Sequence, residues 1–249
     1  MILGDRERIV SEEYADLIIE YNGDTSVFEE FPDRTVQIFS RQYAFVHVPV
    51  SFITQDIVYR YGYAALPTCF GIISQSSLEA SGVFRLRNIP VFNLRGQGVL
   101  IGIIDTGIDY TNPIFCYADN TTRIVSIWDQ TITSDNPPRG MLYGTEYTRE
   151  QINEALQSED PLSVVPSTDE IGHGTMIAGI AGGSAVEESG FYGVAPDAEF
   201  VVVKLKQAKR YLRDFFFIPQ NAVCFQENDI MQGLMYLFNV SLRLQRPIV

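Results

Sequence analysis

The stretch Val99-Leu100-Ile101-Gly102-Ile103-Ile104-Asp105-Thr106-Gly107 is almost continuously apolar until its last three residues. An alternating run would mark a strand with one wet face, whereas a continuous one marks a parallel strand covered on both faces. Residues 200–205, with Val201, Val202 and Val203 at their centre, read the same way. Helical patterns separate and follow the two runs. Residues 148–156 open with the capping box Thr148-x-x-Gln151 and carry Ile152 and Leu156 on one face. Residues 171–182 form a Gly- and Ala-rich pattern, and 228–238 place Ile230, Leu234, Leu237 and Phe238 in helical register. Strands alternating with helices predict an α/β fold on a doubly wound parallel sheet. Pro247-Ile248-Val249 then begins another buried-looking strand with no polar closure after it, so the sheet is expected to be incomplete within this sequence.

Upstream of residue 75 the pattern is different. Tyr14, Leu17, Ile18 and Tyr21 recur at helical spacing with acids between them, predicting an amphipathic helix over 11–21 that Asn22-Gly23-Asp24 ends. Two strand-like runs follow at 35–39 and 43–48, and Ile53, Ile57 and Tyr61 then mark a helix over 52–61. Together these suggest a small α+β unit, whose end falls between Cys69 and Ser81, where Gly, Ser and Gln dominate.

Composition limits what the chain can do. Its 249 residues are 46% hydrophobic, a folding composition, and a chain of this length buries roughly 70% of the surface its unfolded form exposes. With 31 acidic against 18 basic side chains the net charge is −13, and no basic stripe is present, which argues against a nucleic-acid partner. The first 30 residues alone hold nine carboxylates and two arginines. Asp5, Arg6, Glu7 and Arg8 interrupt any secretory signal peptide, and no apolar stretch reaches the roughly 18 residues of a membrane span. Cys69, Cys116 and Cys224 are odd in number and widely spaced, suggesting neither a disulfide framework nor a zinc site and favouring a reducing compartment.

Three features could carry chemistry. Gly96-Gln97-Gly98 invites a dinucleotide-binding reading, but those glycines precede the strand where the fingerprint needs them after it. Asp105, followed by Thr106-Gly107, stands at the carboxyl end of a parallel strand, the border of the functional crevice in open α/β sheets. The alternative is a turn-forming Asp that bonds its own backbone. His173, one of two histidines, starts a predicted helix within Gly172-His173-Gly174-Thr175, where a capping role and a catalytic role are both open. A helix N-terminus disfavours the imidazolium unless a carboxylate offsets the dipole, and Asp105 is the candidate for that carboxylate.

Taken in order, Asp105-Thr106-Gly107 after an apolar strand, Gly172-His173-Gly174-Thr175 with Ala178-Gly179 on a helix, and Gly193-Val194-Ala195-Pro196 before a second strand resemble the subtilisin-like serine proteases. The resemblance runs from about Leu94 to Val249. Within that superfamily, residues 124–130, 147–156 and Val165-Pro166-Ser167-Thr168-Asp169 look similar to the Csp germination proteases of clostridia. The resemblance implies a serine endopeptidase in which His173 is the general base and Asp105 orients it. It also implies that residues 1–74 are a self-cleaved propeptide and 75–249 the amino-terminal part of a catalytic domain.

The chain departs from the family in having no Gly-Thr-Ser-x-Ala segment; Ser184 and Ser189 lack its setting. The 249 residues are therefore expected to carry only the Asp and the His, to be inert alone, and to be a fragment. Ile114 after Pro113 replaces the Asp that serves as a calcium ligand in secreted members, so neither a metal nor any other cofactor is expected. Met176 stands where many members have a second histidine. The expected partners are a protein or peptide substrate and the chain's own propeptide. The Csp likeness implies a spore-protein substrate, a cortex-hydrolase zymogen, and a cytoplasmic or spore-associated location. A non-catalytic, regulatory pseudoprotease is the alternative.

Overall fold

The computed structural model describes residues 4–70, 95–186, 191 and 193–249. In chain order the strands are β1 (Tyr14–Glu20), β2 (Thr35–Ile38), β3 (Tyr43–Pro49), β4 (Cys69–Phe70), β5 (Leu100–Asp105), β6 (Ile124–Asp129), β7 (Thr145–Thr148), β8 (Glu199–Lys204) and β9 (Phe225–Gln226). The α-helices are α1 (Asp5–Val10), α2 (Gln55–Tyr61), α3 (Arg149–Gln157), α4 (Pro161–Val164), α5 (His173–Gly182), α6 (Arg210–Phe215) and α7 (Glu227–Leu244). Two compact units emerge. One is built from the described residues up to 70 with 139–143 and 206–235, the other from the described residues of 95–138, 144–205 and 236–249.

In the first unit β1, β3 and β2 form an antiparallel sheet in that order, with Asp16 of β1 and Thr35 of β2 both opposite His47 of β3. The period-2 alternation sends Ala15, Leu17, Ile19, Ala44, Val46 and Val48 to one face, where they pack with Phe28, Phe31, Leu66 and Leu212. The helix expected over 11–21 is instead the strand β1. Tyr14 and Ile18, four residues apart, fit a helical and a strand period alike, and the acids among these positions suggested a wet face. Asp16 is in fact fully buried, so β1 is covered on both sides and its alternation is masked. The runs expected at 35–39 and 43–48 are β2 and β3, and the expected second helix is α2. β4 pairs antiparallel with β9. The expected boundary near Ser74 lies outside the described residues.

The second unit holds a sheet in the order β5-β8-β6-β7. β5 and β8 are parallel, as their two apolar runs predict; β6, which the sequence did not announce as a strand, joins them in parallel, while β7 is an antiparallel edge. The terminal Pro247-Ile248-Val249 extends the sheet beyond β5. Leu100 and Gly102 donate to the carbonyls of Pro247 and Val249, and Leu100 and Ile248 bridge in parallel. One face of the sheet is covered by α3 and α5, with Phe200, Val202, Ile103, Ile127, Ile152 and Ala178 in a single apolar core. Each such fully buried aliphatic or aromatic side chain contributes roughly 1.5–3 kcal/mol. Elsewhere in the unit Trp128, the chain's single tryptophan, is fully buried with its ring centroid 5.4 Å from that of Tyr236. The capping box at Thr148 and Gln151 forms as read, which contributes about 1 kcal/mol to starting α3.

Candidate active site

The register of the parallel strands aligns three carboxyl ends, with Asp105 opposite Lys204 and Lys204 opposite Asp129. Asp105 thus stands at the crevice edge of the second unit. Its Oδ1 accepts the N–H of Thr106 at 2.7 Å, the local turn bond that the alternative reading assigned to it. It also does more. His173 is the first residue of α5, and its Nδ1 lies 2.9 Å from Oδ1 and 3.0 Å from Oδ2 of Asp105. The two side chains are 14% and 18% exposed, so the pair is largely screened yet still reachable from solvent.

Glycine makes this approach possible. A Cβ on Gly174 would sit 2.1 Å from the carbonyl oxygen of Gly107 and 3.1 Å from the Asp105 Cβ, so any side chain there would push the helix start off the strand end. Gly107 has φ +125°, and a Cβ on it would meet the Thr168 carbonyl at 2.7 Å.

A carboxylate given no role in the sequence reading holds the surrounding loops together. Asp169 Oδ1 accepts the Thr106 hydroxyl at 2.7 Å and the Gly172 N–H at 2.9 Å. Its Oδ2 accepts the Thr175 N–H at 2.8 Å and the Thr175 hydroxyl at 2.6 Å. Burial works against the charge on Asp169, but the bonds from Thr175, Thr106 and Gly172 outweigh it and hold the carboxyl below its ordinary range. The sequence signal that could have found it is an Asp just ahead of a predicted helix start, where the first N–H groups need an acceptor. Beside it lies a cavity of about 430 Å³ lined by Asp109, Tyr110, Pro161, Leu162, Thr168 and Glu170 among others.

Ser184 is not brought to the pair. Its hydroxyl donates to the Cys116 carbonyl at 3.1 Å and accepts from Arg123 at 3.0 Å. Ser189 lies outside the described residues. Gly96 and Gly98 precede β5, where they form the turn into the strand. Among the described residues no group of three or more His, Cys, Asp or Glu side chains is placed to hold a metal ion, and no helix is long and apolar enough to cross a membrane.

Residues 96–215 match the subtilase family, Peptidase_S8. Among solved structures, the CspB protease of Clostridium perfringens resembles the chain with 35% sequence identity and a TM-score of 0.53, over 70% of this chain and 32% of that one. The chain therefore spans about a third of the length of that relative. No curated protein sequence matches it.

Proposed function

We propose that the chain, whose residues 96–215 match the subtilase family, is a subtilase that carries the base-and-carboxylate part of a serine-peptidase centre, with His173 as general base and Asp105 as its orienting carboxylate. The observation that carries this is the contact of His173 Nδ1 with both carboxylate oxygens of Asp105 at the crevice end of β5. An Nδ1–H held by Asp105 leaves Nε2 as the proton acceptor. Nε2 would take the proton from a serine hydroxyl as its oxygen bonds to the peptide carbonyl carbon. It would return that proton to the amine as the C–N bond breaks, and water would then release the acyl group through the same base. Asp105 would stabilise the imidazolium that forms between these transfers.

The proposal places the serine outside these 249 residues, which hold no Gly-Thr-Ser-x-Ala segment, so this chain alone is expected to be inert. Without an acyl acceptor, base and carboxylate have nothing to activate. The substrate is proposed to be a protein or peptide chain, and a spore protein is the one that the sequence resemblance to the Csp germination proteases implies. Residues 1–74 are proposed to act as the chain's own propeptide. This is supported by the buried bonds from the amino-terminal sheet to 206–235, among them Lys209 Nζ to Asp16 at 2.8 Å and the Asp16 N–H to the Tyr211 hydroxyl at 2.9 Å.

Reading the coding sequence on from Val249 is the first test. An Asn followed by Gly-Thr-Ser-x-Ala supports the peptidase, whereas a replaced serine would make the protein a regulator. On the complete gene product, labelling by a serine-directed fluorophosphonate should disappear in His173→Ala. Labelling that survives unchanged would remove His173 as the base.

A further inference from the structure

We propose that Asp169 is a positioning residue for the His173–Asp105 pair, an anionic brace that fixes the start of α5 against the end of β5. The inference rests on the peptidase reading in one respect only, that the pair has a reaction to serve.

The geometry is a closed set of links. The Thr106 hydroxyl donates to Asp169 Oδ1, which commits its proton and turns its lone pairs toward the Gly174 N–H, accepted at 3.0 Å. The Thr175 hydroxyl likewise donates to Asp169 Oδ2 and accepts the Asp109 N–H at 2.8 Å. One carboxylate therefore orients two hydroxyls, each of which bonds across the gap between strand end and helix start. Thr106 directly follows Asp105, while Gly172 and Gly174 flank His173, so every link ends within two residues of one partner of the pair or beside the turn that follows Asp105. An ionised acid suits this place because all four incoming groups are donors and a carboxylate offers only acceptors. An Asn at this position would turn an N–H₂ toward two of the four donors, leaving those two unmatched. The contact ring does not include Asp105 or His173 themselves, which is why Asp169 acts through their backbone placement and touches no reacting atom.

The chain has two histidines, and both Nδ1 atoms face aspartates, so the downfield imidazole N–H region of the proton NMR spectrum should hold two hydrogen-bonded Nδ1–H resonances, from His47 and His173. In Asp169→Asn the His173 resonance should move upfield or exchange away while the His47 resonance stays, showing that the first unit is intact. Retention of both resonances in a folded Asp169→Asn protein would overturn the proposal. Should that variant not fold, Thr106→Val and Thr106→Ser decide it. Loss of the His173 resonance in Val with its return in Ser upholds the brace, and an unchanged resonance in Val overturns it. In the complete gene product the same Asp169→Asn change should lower kcat by up to about 10²-fold with KM little changed, the size expected of a small misplacement. A protein that hydrolyses no peptide but shows the resonance effect would sink the peptidase reading and leave the brace standing. Peptide hydrolysis with an unaffected resonance would do the reverse.

Discussion

The chain has two histidines, and each pairs its Nδ1 with an aspartate, one in each compact unit. His47 and Asp16 face each other across β1 and β3 and are sealed, 0% and 1% exposed. Lys209 and Gln226 also reach Asp16, at 2.8 and 2.5 Å, and Gln37 faces the far nitrogen of His47 at 3.2 Å. Burial opposes the charge of Asp16, but Lys209 and His47 outweigh it and hold the carboxyl far below its usual range. Burial likewise holds His47 below its ordinary value, though Asp16 pulls the other way. His173 and Asp105 repeat the pair at a strand end with a measure of exposure. On the proposed reading, the same two residue types serve different ends according to what surrounds them. A pair sealed from water can only tie segments together, whereas one that is partly exposed can exchange a proton with an incoming group.

Substitutions can break this contrast from either side. The largest effect is expected from His173→Ala in the complete gene product, a fall in turnover of about 10⁶-fold, with His47→Gln leaving turnover at the parent rate; peptide hydrolysis by both variants checks this. Asp105→Asn should follow with about 10⁴-fold, by loss of the correct imidazole tautomer. Asp16→Ala should act on stability instead. It strands the Lys209 ammonium in the interior, which costs about 3–5 kcal/mol, readable as a shifted denaturation midpoint for the first unit. The smallest expected effect is on pH dependence. His47 faces Asp16 and, more distantly, the cations Lys209 and Lys206. Because its folded pKa is depressed, the unfolded chain takes up a proton first, near pH 6.5, and the folded state follows only at lower pH. The first unit should therefore keep its full stability above about pH 6.5 and lose at most about 1.4 kcal/mol per pH unit as pH falls toward the folded value. Carbethoxylation sharpens the same contrast, since the reagent should modify His173 in the native protein and His47 only on unfolding.

The second unit was legible because its signals are local. A continuous apolar run ending in Asp105-Thr106-Gly107 and a Gly-flanked His173 at a helix start are each contained in a few residues, and the parallel strands β5 and β8 lie where those runs are. The antiparallel edge β7 was not read, because Thr145–Thr148 is too short to display an alternation. In the first unit the sequence misled. Asp16 reads as a solvent-facing acid, and only Lys209, His47 and Gln226, brought to it by chain folding, explain why it is inside. His47 gave one weak signal, its alternation with Val46 and Val48 in β3, but its partner across the sheet depends on register, which a single strand does not encode. Asp169 was visible as a residue and invisible as a hub for a similar reason: two of its four donors come from Thr106 and the turn at Gly172, and the first of these is distant in sequence.

Trp128 gives the contrast between the units an optical handle. The indole belongs to the unit that holds His173 and Asp105, is shut away from water, and has a tyrosine ring as neighbour. Its emission should be blue and partly fed by energy transfer from Tyr236 in the native state. It should turn red only when that unit opens, leaving melting of the amino-terminal sheet silent at that wavelength. Fluorescence excited at the indole band should therefore follow the unit that holds His173 and Asp105, and the gap between that curve and one from far-ultraviolet dichroism measures how independently the two units unfold.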